Sequence, residues 1–498
     1  MTNLASIVEP HPDDAVAVIS RGRSTTYGEL RTQVAGLRGG LVGLGLEPGD
    51  RVGIIAANNW YFVVSYLAVL GAGCVAVPVN PTSPVPELTR ELAAIGAKAV
   101  IAGPLAKETL TGLDLAFLPD LKVVITSGES GVSGAFAIDD LVASKPIPIV
   151  ERVADDLAVL VFTSGTAGAP KAAMLTHGNL LANLEQCQAH PGRSQTADDV
   201  AFGVLPFFHI FGLNVVLGIT FMAGASVLTV ERFDPQSGIE SILKHGVTVI
   251  SGAPTMWAAW AALPGVAPDA FNNVRLATSG AARLDPAVRK AMDDRYALEL
   301  TEGYGLTEAS PVVSSGHGLD APVGSIGVPL PGVKVRLVDA DGQEALVGDS
   351  GEIWVQGPNV FAGYWDDPEA TAAAITPDGW LRTGDIAVVD DDGFLYLVDR
   401  AKDLIIVSGF NVFPAEVEEV IISHPAVERV AVIGVPHPHS GEAVKAYVVL
   451  QEGMSAEEDE LIAHCEAQMA RYKCPQKVMF VDEIPQSFSG KVLRKLLR

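Results

Sequence analysis

Short apolar runs alternate with longer amphipathic segments through more than the first half of the chain. The runs are RVGIIAAN (51–58), KAVIAG (98–103), KVVITS (122–127), VTVISGAP (247–254) and VRLATSGAA (274–282). Parallel strands that are buried on both faces read as continuous apolar runs, and strands that alternate with helices form parallel layers. The pattern therefore predicts an α/β fold in which parallel sheets form a large N-terminal part.

The pattern changes from about residue 324. VKVRLVD (333–339), GEIWVQG (351–357) and FLYLVD (394–399) are separated by turn segments rich in aspartate and glycine. Strands that follow one another through such turns, without intervening helices, pair antiparallel. We therefore predict an antiparallel or barrel-like β section after the parallel layers.

The C-terminal residues predict a separate, smaller α+β unit. Amphipathic or apolar segments follow one another at 414–425, 427–436, 442–451 and 455–473. A unit of this length is near the lower limit of domain size. The predicted organisation is a large N-terminal domain at 1–399, a hinge at 400–402 and a small mobile domain at 403–498.

Two uncharged stretches, 61–79 and 212–230, approach the length that spans a membrane. Each contains small residues near its middle and a β-branched run after them, which predicts a helix, a turn and a buried strand. The N-terminal residues lack the basic and apolar regions of a signal peptide. A cytoplasmic protein without stable membrane insertion is the expectation.

Charge and cysteine content narrow the classes of partner. The 498 residues include 34 Lys and Arg against 59 Asp and Glu, a formal net charge of −25. Such a field repels nucleic acid and anionic lipid, so an anionic substrate needs a local cluster of donors. The four scattered cysteines predict reduced thiols and no disulfide or metal framework. The sequence leaves open whether the protein is a monomer or a homodimer.

Residues 163–171, TSGTAGAPK, place three hydroxyl side chains, two glycines and one lysine directly after the apolar run 157–162. Backbone N–H groups, hydroxyls and an ammonium group together suit a phosphate, whereas an ordinary surface turn needs fewer such residues. A Walker A loop reads G-x-x-x-x-G-K-[ST]. Here Lys171 follows Pro170, and Ala172 stands where the magnesium-binding hydroxyl belongs. The segment predicts a phosphate loop of another class.

The order Thr-Ser-Gly-Thr-x-Gly-x-Pro-Lys resembles the phosphate loop of the adenylate-forming superfamily of acyl-CoA synthetases, 4-coumarate–CoA ligases, luciferases and peptide-synthetase adenylation domains. Ala167 for a usual threonine and Ala172 for a common glycine depart from the family, which is expected to weaken phosphate contacts without changing the chemistry. The resemblance is closest to fatty-acyl-CoA and 4-coumarate–CoA ligase-like enzymes and covers nearly the whole chain. Its other motifs follow in family order at 302–310 (EGYGLTEAS), 379–387 (GWLRTGDIA), 399–418 and 485–498.

The resemblance implies an AMP-forming acid–thiol ligase that uses ATP, Mg²⁺ and CoA. A carboxylate attacks the α-phosphorus of ATP to give acyl-AMP and pyrophosphate, and a thiol then displaces AMP. The first step gathers negative charge at phosphorus and needs oriented cations. By resemblance Lys491 bridges the carboxylate and the α-phosphate, while Glu308, with Thr163, binds Mg²⁺. The implied ATP-binding residues are Thr163, Ser164, Gly165, Thr166, Ala167, Gly168, Lys171, Ala281, Glu302, Gly303, Tyr304, Thr307, Asp385 and Arg400.

The second step is assigned by resemblance as well. Lys402 matches the hinge about which the small domain of the family swings, so that the thiol route replaces Lys491. His209 matches a residue between the acyl pocket and the thiol channel, and it is assigned a catalytic role. The residues expected to bind CoA are Arg232, Ser408, Gly409 and Phe410.

The stretch LPFFHIFGLN (205–214) resembles the acyl-pocket segment of the family and contains no acidic residue. An amino-acid substrate would need such a residue, because an unpaired buried ammonium group is costly. We therefore expect an apolar carboxylic acid, a medium- or long-chain fatty acid. The alternatives are an aryl or arylpropanoid acid, or a stand-alone enzyme that loads a carrier protein. The expected pocket residues are His209, Gly212, Leu213, Met256, Thr278 and Val312.

An inactive homologue or a nucleotide-binding regulator is the remaining alternative, of a different class. It predicts loss of the metal-binding acid, the catalytic lysine or the ribose-binding carboxylate. Glu308, Lys491 and Asp385 are all present, which favours an enzyme. Hydroxycinnamate ligases often carry lysines where this chain has Ile406 and Ser408, which favours the fatty-acid reading.

Overall fold

The computed structural model describes two compact units of the chain. The first comprises residues 1–321, 327–334 and 355–381, and the second comprises 322–326, 335–354 and 382–498. The described residues are 2–113, 115–128, 132–163, 171–192, 194–339, 341–400, 405–407, 410–437, 441–469, 471–486 and 492–497.

The β-strands belong to separate sheets in the two units. The strands of the first unit are β1 (Val16–Ser20), β2 (Arg23–Thr26), β3 (Arg51–Ile55), β4 (Val75–Val79), β5 (Ala99–Ala102), β6 (Val123–Thr126), β7 (Phe136–Ala137), β8 (Leu157–Thr163), β9 (Lys171–Thr176), β10 (Val200–Gly203), β11 (Ser226–Thr229), β12 (Val249–Gly252), β13 (Leu276–Ser279), β14 (Thr301–Gly305), β15 (Val312–Ser315) and β16 (Val328–Pro329). The later strands are β17 (Lys334–Val338), β18 (Gly351–Gln356), β19 (Leu381–Val389), β20 (Leu395–Arg400), β21 (Ile405–Val407), β22 (Phe410–Val412), β23 (Val427–His437), β24 (Gly441–Leu450) and β25 (Lys477–Phe480).

Helices connect most of the parallel strands. The α-helices are α1 (Tyr27–Gly43), α2 (Trp60–Gly71), α3 (Val85–Ala94), α4 (Lys107–Gly112), α5 (Ile138–Val142), α6 (His177–Gln188), α7 (Ile219–Ala223), α8 (Pro235–His245), α9 (Pro254–Ala262), α10 (Pro286–Tyr296), α11 (Pro368–Ala374), α12 (Pro414–Ile422) and α13 (Glu458–Glu466). A π-helix (Phe211–Gly218) precedes α7, and short 3₁₀ turns include Thr307–Ala309 and Arg494–Leu496.

Two largely parallel sheets form the first unit. Their orders are β7-β6-β5-β3-β4-β8-β9 and β16-β15-β14-β13-β12-β10-β11-β1-β2 within the described residues. Each of the five apolar runs of the sequence forms a strand of one of these sheets, as predicted. The strands are buried because helices cover both faces of such sheets; Val52, Ile54 and Ile250, for example, are fully buried.

The uncharged stretches form buried elements. Residues 60–79 fold as α2, a turn and β4, and the second stretch folds as the π-helix, α7 and β11. Gly224 ends α7 in the left-handed region, at φ 74°. Among the described residues, no helix is both long and apolar enough to cross a membrane.

The second unit contains two smaller sheets. One has the order β17-β18-β19-β20. Its last two strands pair antiparallel, as the turn segments between the strands of this region predict. The other has the order β22-β21-β24-β23, with β25 parallel to β24, and α12 and α13 pack against it. The chain is thus an α/β protein with parallel sheets in a large N-terminal domain and a small C-terminal domain with its own sheet. The domain boundary at residues 400–402 stays a prediction.

Candidate active site

Strands β8 and β9 bring the two ends of the phosphate-loop motif together. Thr163 and Lys171 are antiparallel partners, and the Thr163 hydroxyl donates a hydrogen bond to the Lys171 carbonyl at 3.3 Å. The intervening candidates lie outside the described residues; they are Ser164, Gly165, Thr166, Ala167 and Gly168. The two described ends of the motif therefore lie on adjacent strands.

Lys171 lies beside two side chains from a distant segment. Its ammonium nitrogen is 3.5 Å from Asp367 Oδ2 and 5.2 Å from the centre of the Tyr364 ring. Asp367 is also the N-cap of α11, where its Oδ1 accepts the N–H of Ala370 at 2.8 Å. The Lys171 side chain is 31% exposed, so its charge is accessible to a ligand.

Glu308 lies in the 3₁₀ turn Thr307–Ala309, and two residues of the same segment contact it. The Tyr364 hydroxyl donates to Glu308 Oε1 at 2.6 Å, and the Phe361 N–H donates to the Glu308 carbonyl at 2.9 Å. Within the described part of the chain, Glu308 Oε2 accepts no hydrogen bond. Burial and the charge of Glu308 raise the pKa of Tyr364, which therefore stays a donor. We name Lys171, Glu308, Tyr364 and Asp367 the phosphate-side cluster.

Three buried asparagines fix the backbone that follows Glu308. Asn359 donates to the Ala309 carbonyl at 2.9 Å, and Asn214 donates to the Ser310 carbonyl at 2.7 Å. Asn183 pairs with both backbone groups of Val312, at 2.8 and 3.1 Å. The three side chains are at most 2% exposed, and buried amides of this kind make their hydrogen bonds rigidly. The segment between Glu308 and the pocket candidate Val312 is thus held by three buried side-chain amides.

The adenine-side candidates lie on β14 and the turn after β13. Gly303 and Tyr304 pair with β15, and Tyr304 is 8% exposed. The Glu302 carboxylate accepts the N–H of Leu284 at 3.1 Å, and desolvation raises the pKa of this carboxyl. The side chain of Glu302 therefore supports the turn, while its carbonyl accepts the N–H of Gly316 at 3.0 Å. Ala281 is exposed in this turn with φ 71°.

The π-helix places the pocket candidates Gly212 and Leu213 in the core. A Cβ added at Gly212 would lie 2.2 Å from the Pro206 carbonyl oxygen, so only glycine fits there. The Phe211 ring, from the same stretch, packs closely on Gly280. A Cβ added at Gly280 would lie 3.0 Å from this ring. The acyl-pocket stretch therefore lies directly beside the turn after β13.

Other pocket candidates line the same region of the first unit. The Thr278 hydroxyl donates to Ser251 Oγ at 3.0 Å, and the Trp257 indole donates to the Thr278 carbonyl at 3.3 Å. Met256 is 6% exposed. His209 is solvent-accessible, yet desolvation by the surrounding protein lowers its pKa. Its imidazole is therefore neutral at physiological pH.

The CoA candidate Arg232 is exposed at the start of the segment before α8. Its neighbour Glu231 is bound to Arg21 at 2.6 Å, and Asp234 caps α8 by accepting the N–H of Ser237 at 2.8 Å. Arg232 itself forms no salt bridge within the described part of the chain. Its exposed guanidinium is therefore accessible to an anion.

In the second unit, Asp385 and Arg400 are directly opposite each other on β19 and β20. Asp385 is 6% exposed, and its backbone N–H donates to the Thr383 hydroxyl at 3.1 Å. Phe410 begins β22 and pairs with Val407. The other candidates of this unit, namely Lys402, Ser408, Gly409 and Lys491, lie outside the described residues.

The chain on either side of residues 487–491 is fixed to the second unit. Gln486 and Val492 form an antiparallel bridge. Arg494 donates to both carboxylate oxygens of Glu418 on α12, at 2.7 and 2.9 Å, and the two side chains are 16% and 20% exposed. The Tyr447 hydroxyl donates to the Leu497 carbonyl at 2.7 Å. We name Arg494, Glu418 and Tyr447 the tail anchor.

Comparison with known proteins decides the family. The model for the AMP-binding enzyme matches residues 4–365, and that for the AMP-binding enzyme C-terminal domain matches 416–491. The chain belongs to the AMP-binding enzyme family. It is similar to a feruloyl-CoA synthase from Amycolatopsis sp, with 38% identity across 99% of this chain and 96% of that protein.

Two further members of the family are similar over nearly their full length. A long-chain-fatty-acid–CoA ligase from Bacillus subtilis is 35% identical, across 97% of this chain and 91% of that protein. The crystal structure of ATP-bound MatB from Rhodopseudomonas palustris superposes with a TM-score of 0.90 at 33% identity, across 100% and 98% of the two chains. The chain is thus an AMP-forming acid–thiol ligase, and the family expected from its motifs is confirmed.

ATP and CoA are the substrates that fit this family. Among the residues that the structure describes, no three His, Cys, Asp or Glu side chains are grouped to hold a metal ion. Mg²⁺ in nucleotide sites is usually bound by one or two carboxylates together with phosphate oxygens and water. Glu308, with one oxygen held by Tyr364 and the other without a partner in the described chain, fits this requirement.

Proposed function

We propose that this AMP-binding enzyme converts an apolar monocarboxylic acid, a medium- or long-chain fatty acid, into its CoA thioester. The observation that carries the proposal is the uncharged character of the pocket candidates around the turn after β13. Phe211, Met256, Thr278 and Val312 carry no charge, and the lowered pKa of His209 keeps its ring neutral. A second charged group on the substrate would lose its hydration against these uncharged side chains.

The first half-reaction uses the phosphate-side cluster. The substrate carboxylate attacks the α-phosphorus of ATP, the bond to the β-phosphate oxygen breaks, and pyrophosphate leaves. We propose that Lys171 binds the phosphates and that Glu308 would bind Mg²⁺. The metal ion would neutralise charge on the phosphate oxygens. Lys491 is proposed to stabilise the charge on the carboxylate and α-phosphate oxygens. This work is positioning and electrostatics, as in phosphoryl transfer generally.

The second half-reaction forms the thioester. The CoA thiol gives up its proton to solvent, sulfur bonds to the acyl carbon, and the bond from that carbon to the AMP oxygen breaks, so that AMP leaves. We propose that Asp385 and Arg400 hold the ribose and that Arg232, Ser408, Gly409 and Phe410 guide CoA. The proposal includes a domain rotation about Lys402, within a hinge at 400–402.

An aryl or arylpropanoid acid is the second candidate substrate. The Phe211 ring against Gly280 offers an aromatic surface beside the pocket. The feruloyl-CoA synthase is also as similar to this chain as the fatty-acid ligase is. A carrier-protein thiol in place of CoA is the remaining alternative for the acceptor.

A substrate panel tests the proposal. Pyrophosphate release is measured with decanoate, cinnamate, ferulate and benzoate, each with and without CoA. We expect decanoate to give the highest kcat/KM and CoA to increase turnover. Preference for ferulate would establish the aryl alternative, and release that CoA does not accelerate would favour another acceptor. No release with any acid would contradict the proposal.

A further inference from the structure

We propose that Tyr364 is a positioning residue for the first half-reaction, orienting Glu308 through its hydroxyl and Lys171 through its ring and the neighbouring Asp367. The inference rests on the proposed roles of Glu308 in binding Mg²⁺ and of Lys171 in binding phosphate. The inference extends these proposed roles, because one residue outside the sequence motifs, Tyr364, would orient both Glu308 and Lys171.

The backbone fixes the position of Tyr364 relative to the phosphate loop. Hydrogen bonds of 2.8–2.9 Å join residues 362–365 to residues 172–174, and Tyr364 pairs with Ala173. The Tyr364 N–H also donates to the Thr371 hydroxyl at 2.9 Å. Tyr364 is therefore registered against the strand that leaves the phosphate loop, two positions beyond Lys171.

The side chain of Tyr364 restricts Glu308 from one direction. Its hydroxyl is 2.6 Å from Oε1, while the N–H of Phe361 holds the Glu308 carbonyl at 2.9 Å. The carboxylate is thus fixed at one oxygen and at its own backbone. The second oxygen, Oε2, has no partner in the described chain and is the atom available to a cation. A carboxylate held in this way resembles a metal ligand oriented by an outer hydrogen bond.

The same segment places Lys171 without binding it tightly. The ion pair with Asp367 is 3.5 Å long, and its two side chains are 31% and 37% exposed. Exposed pairs of this kind contribute little stability. The Tyr364 ring supplies an additional weak attraction at 5.2 Å. Lys171 can therefore exchange Asp367 for a phosphate oxygen at little cost.

The substitution Tyr364→Phe tests the inference, because it removes the hydroxyl and keeps the ring over which Lys171 lies. ATP binding to the full-length protein is measured by calorimetry, in Mg²⁺ and in EDTA, without the acid substrate. We expect the gain in ATP affinity that Mg²⁺ provides to fall about tenfold, because a hydrogen bond to a charged group is lost. Binding in EDTA and the reaction of supplied acyl-AMP with CoA should change little.

Tyr396→Phe is the matched control, because the Tyr396 hydroxyl likewise donates to a carboxylate, that of Asp390 at 2.9 Å, but belongs to the second unit. Glu308→Gln is measured alongside. If Glu308→Gln loses the Mg²⁺-dependent gain while Tyr364→Phe keeps it, the positioning role is wrong and the metal assignment stands. If Glu308→Gln itself keeps the gain, the metal assignment is wrong. An equal loss in Tyr364→Phe and Tyr396→Phe would also contradict the inference.

Discussion

The phosphate-side cluster and the tail anchor differ in how they hold the chain near a candidate catalytic side chain. In the first, a neutral hydroxyl holds Glu308, and a long ion pair leaves the Lys171 charge accessible. In the second, Arg494 and Glu418 form a largely buried ion pair with each other. The first arrangement leaves groups that a ligand can take over, whereas the second pairs its two charges with each other. We therefore expect the cluster to serve ligand exchange and the anchor to serve position.

Substitution of Lys491 should produce the largest effect. Lys491→Ala is expected to reduce acyl-AMP formation by roughly 10²- to 10³-fold, the loss seen when one donor to developing charge is removed. The reaction of supplied acyl-AMP with CoA should largely persist. Rapid-quench measurement of each half-reaction checks this. Equal loss of both half-reactions would show that Lys491 has a structural role. The tail anchor would then not serve to position a catalytic lysine.

Breaking the tail anchor should have the next largest effect. Arg494→Gln leaves Glu418 partly buried without its cation and releases the chain three residues after Lys491. We expect acyl-AMP formation to fall roughly tenfold or more, since small misplacements of a catalytic group are costly. Arg471→Gln is the control, because that arginine pairs with Glu466 at 3.6 Å and is 93% exposed.

The Arg494→Gln measurement again separates the half-reactions. Thioester formation from supplied acyl-AMP should be nearly unchanged, and Arg494→Lys should restore part of the lost rate. A uniform decline of both half-reactions, matched by a lower melting temperature, would mean that the anchor contributes only stability. Loss of rate in the Arg471→Gln control would point to a general effect of charge.

The smallest expected effect concerns pH and His209. Desolvation by the surrounding protein lowers the pKa of this imidazole below its ordinary value of 6.5, so the neutral form persists as the pH falls through that value. The ratio of the wild-type rate of thioester formation to the His209→Asn rate should therefore stay level between about pH 8 and 6.5 and decline only at lower pH. The ratio is used because ionisation of the CoA thiol affects both proteins alike. A ratio that drops at or above pH 6.5 would contradict the lowered pKa.

Much of the fold could be predicted because its signals are local. Apolar runs located the parallel strands, and the segment 455–473 contains the helix α13. The family motifs likewise depend on short segments. Glu308 and Asp385 could be proposed from such segments alone, although their roles stay predictions.

Tyr364 could not be found in this way. Its hydroxyl contacts Glu308 across 56 residues, and its segment, FAGYWDD, reads as an ordinary turn. Asn214 is similar, because a single amide within an apolar stretch gives no sign of the Ser310 carbonyl that it binds. For Glu302, the motif predicted a role in ATP binding but gave no sign that its side chain accepts the Leu284 N–H. Such contacts depend on tertiary register, which periodicity does not contain.

Oxygen isotope transfer tests the central claim most directly. The enzyme is incubated with decanoate labelled with ¹⁸O in both carboxylate oxygens, ATP, Mg²⁺ and CoA, and the products are analysed by mass spectrometry. Attack of the carboxylate on the α-phosphorus predicts one ¹⁸O atom in AMP and none in pyrophosphate. Label in inorganic phosphate with ADP as the nucleotide product, or AMP without label, would contradict the account.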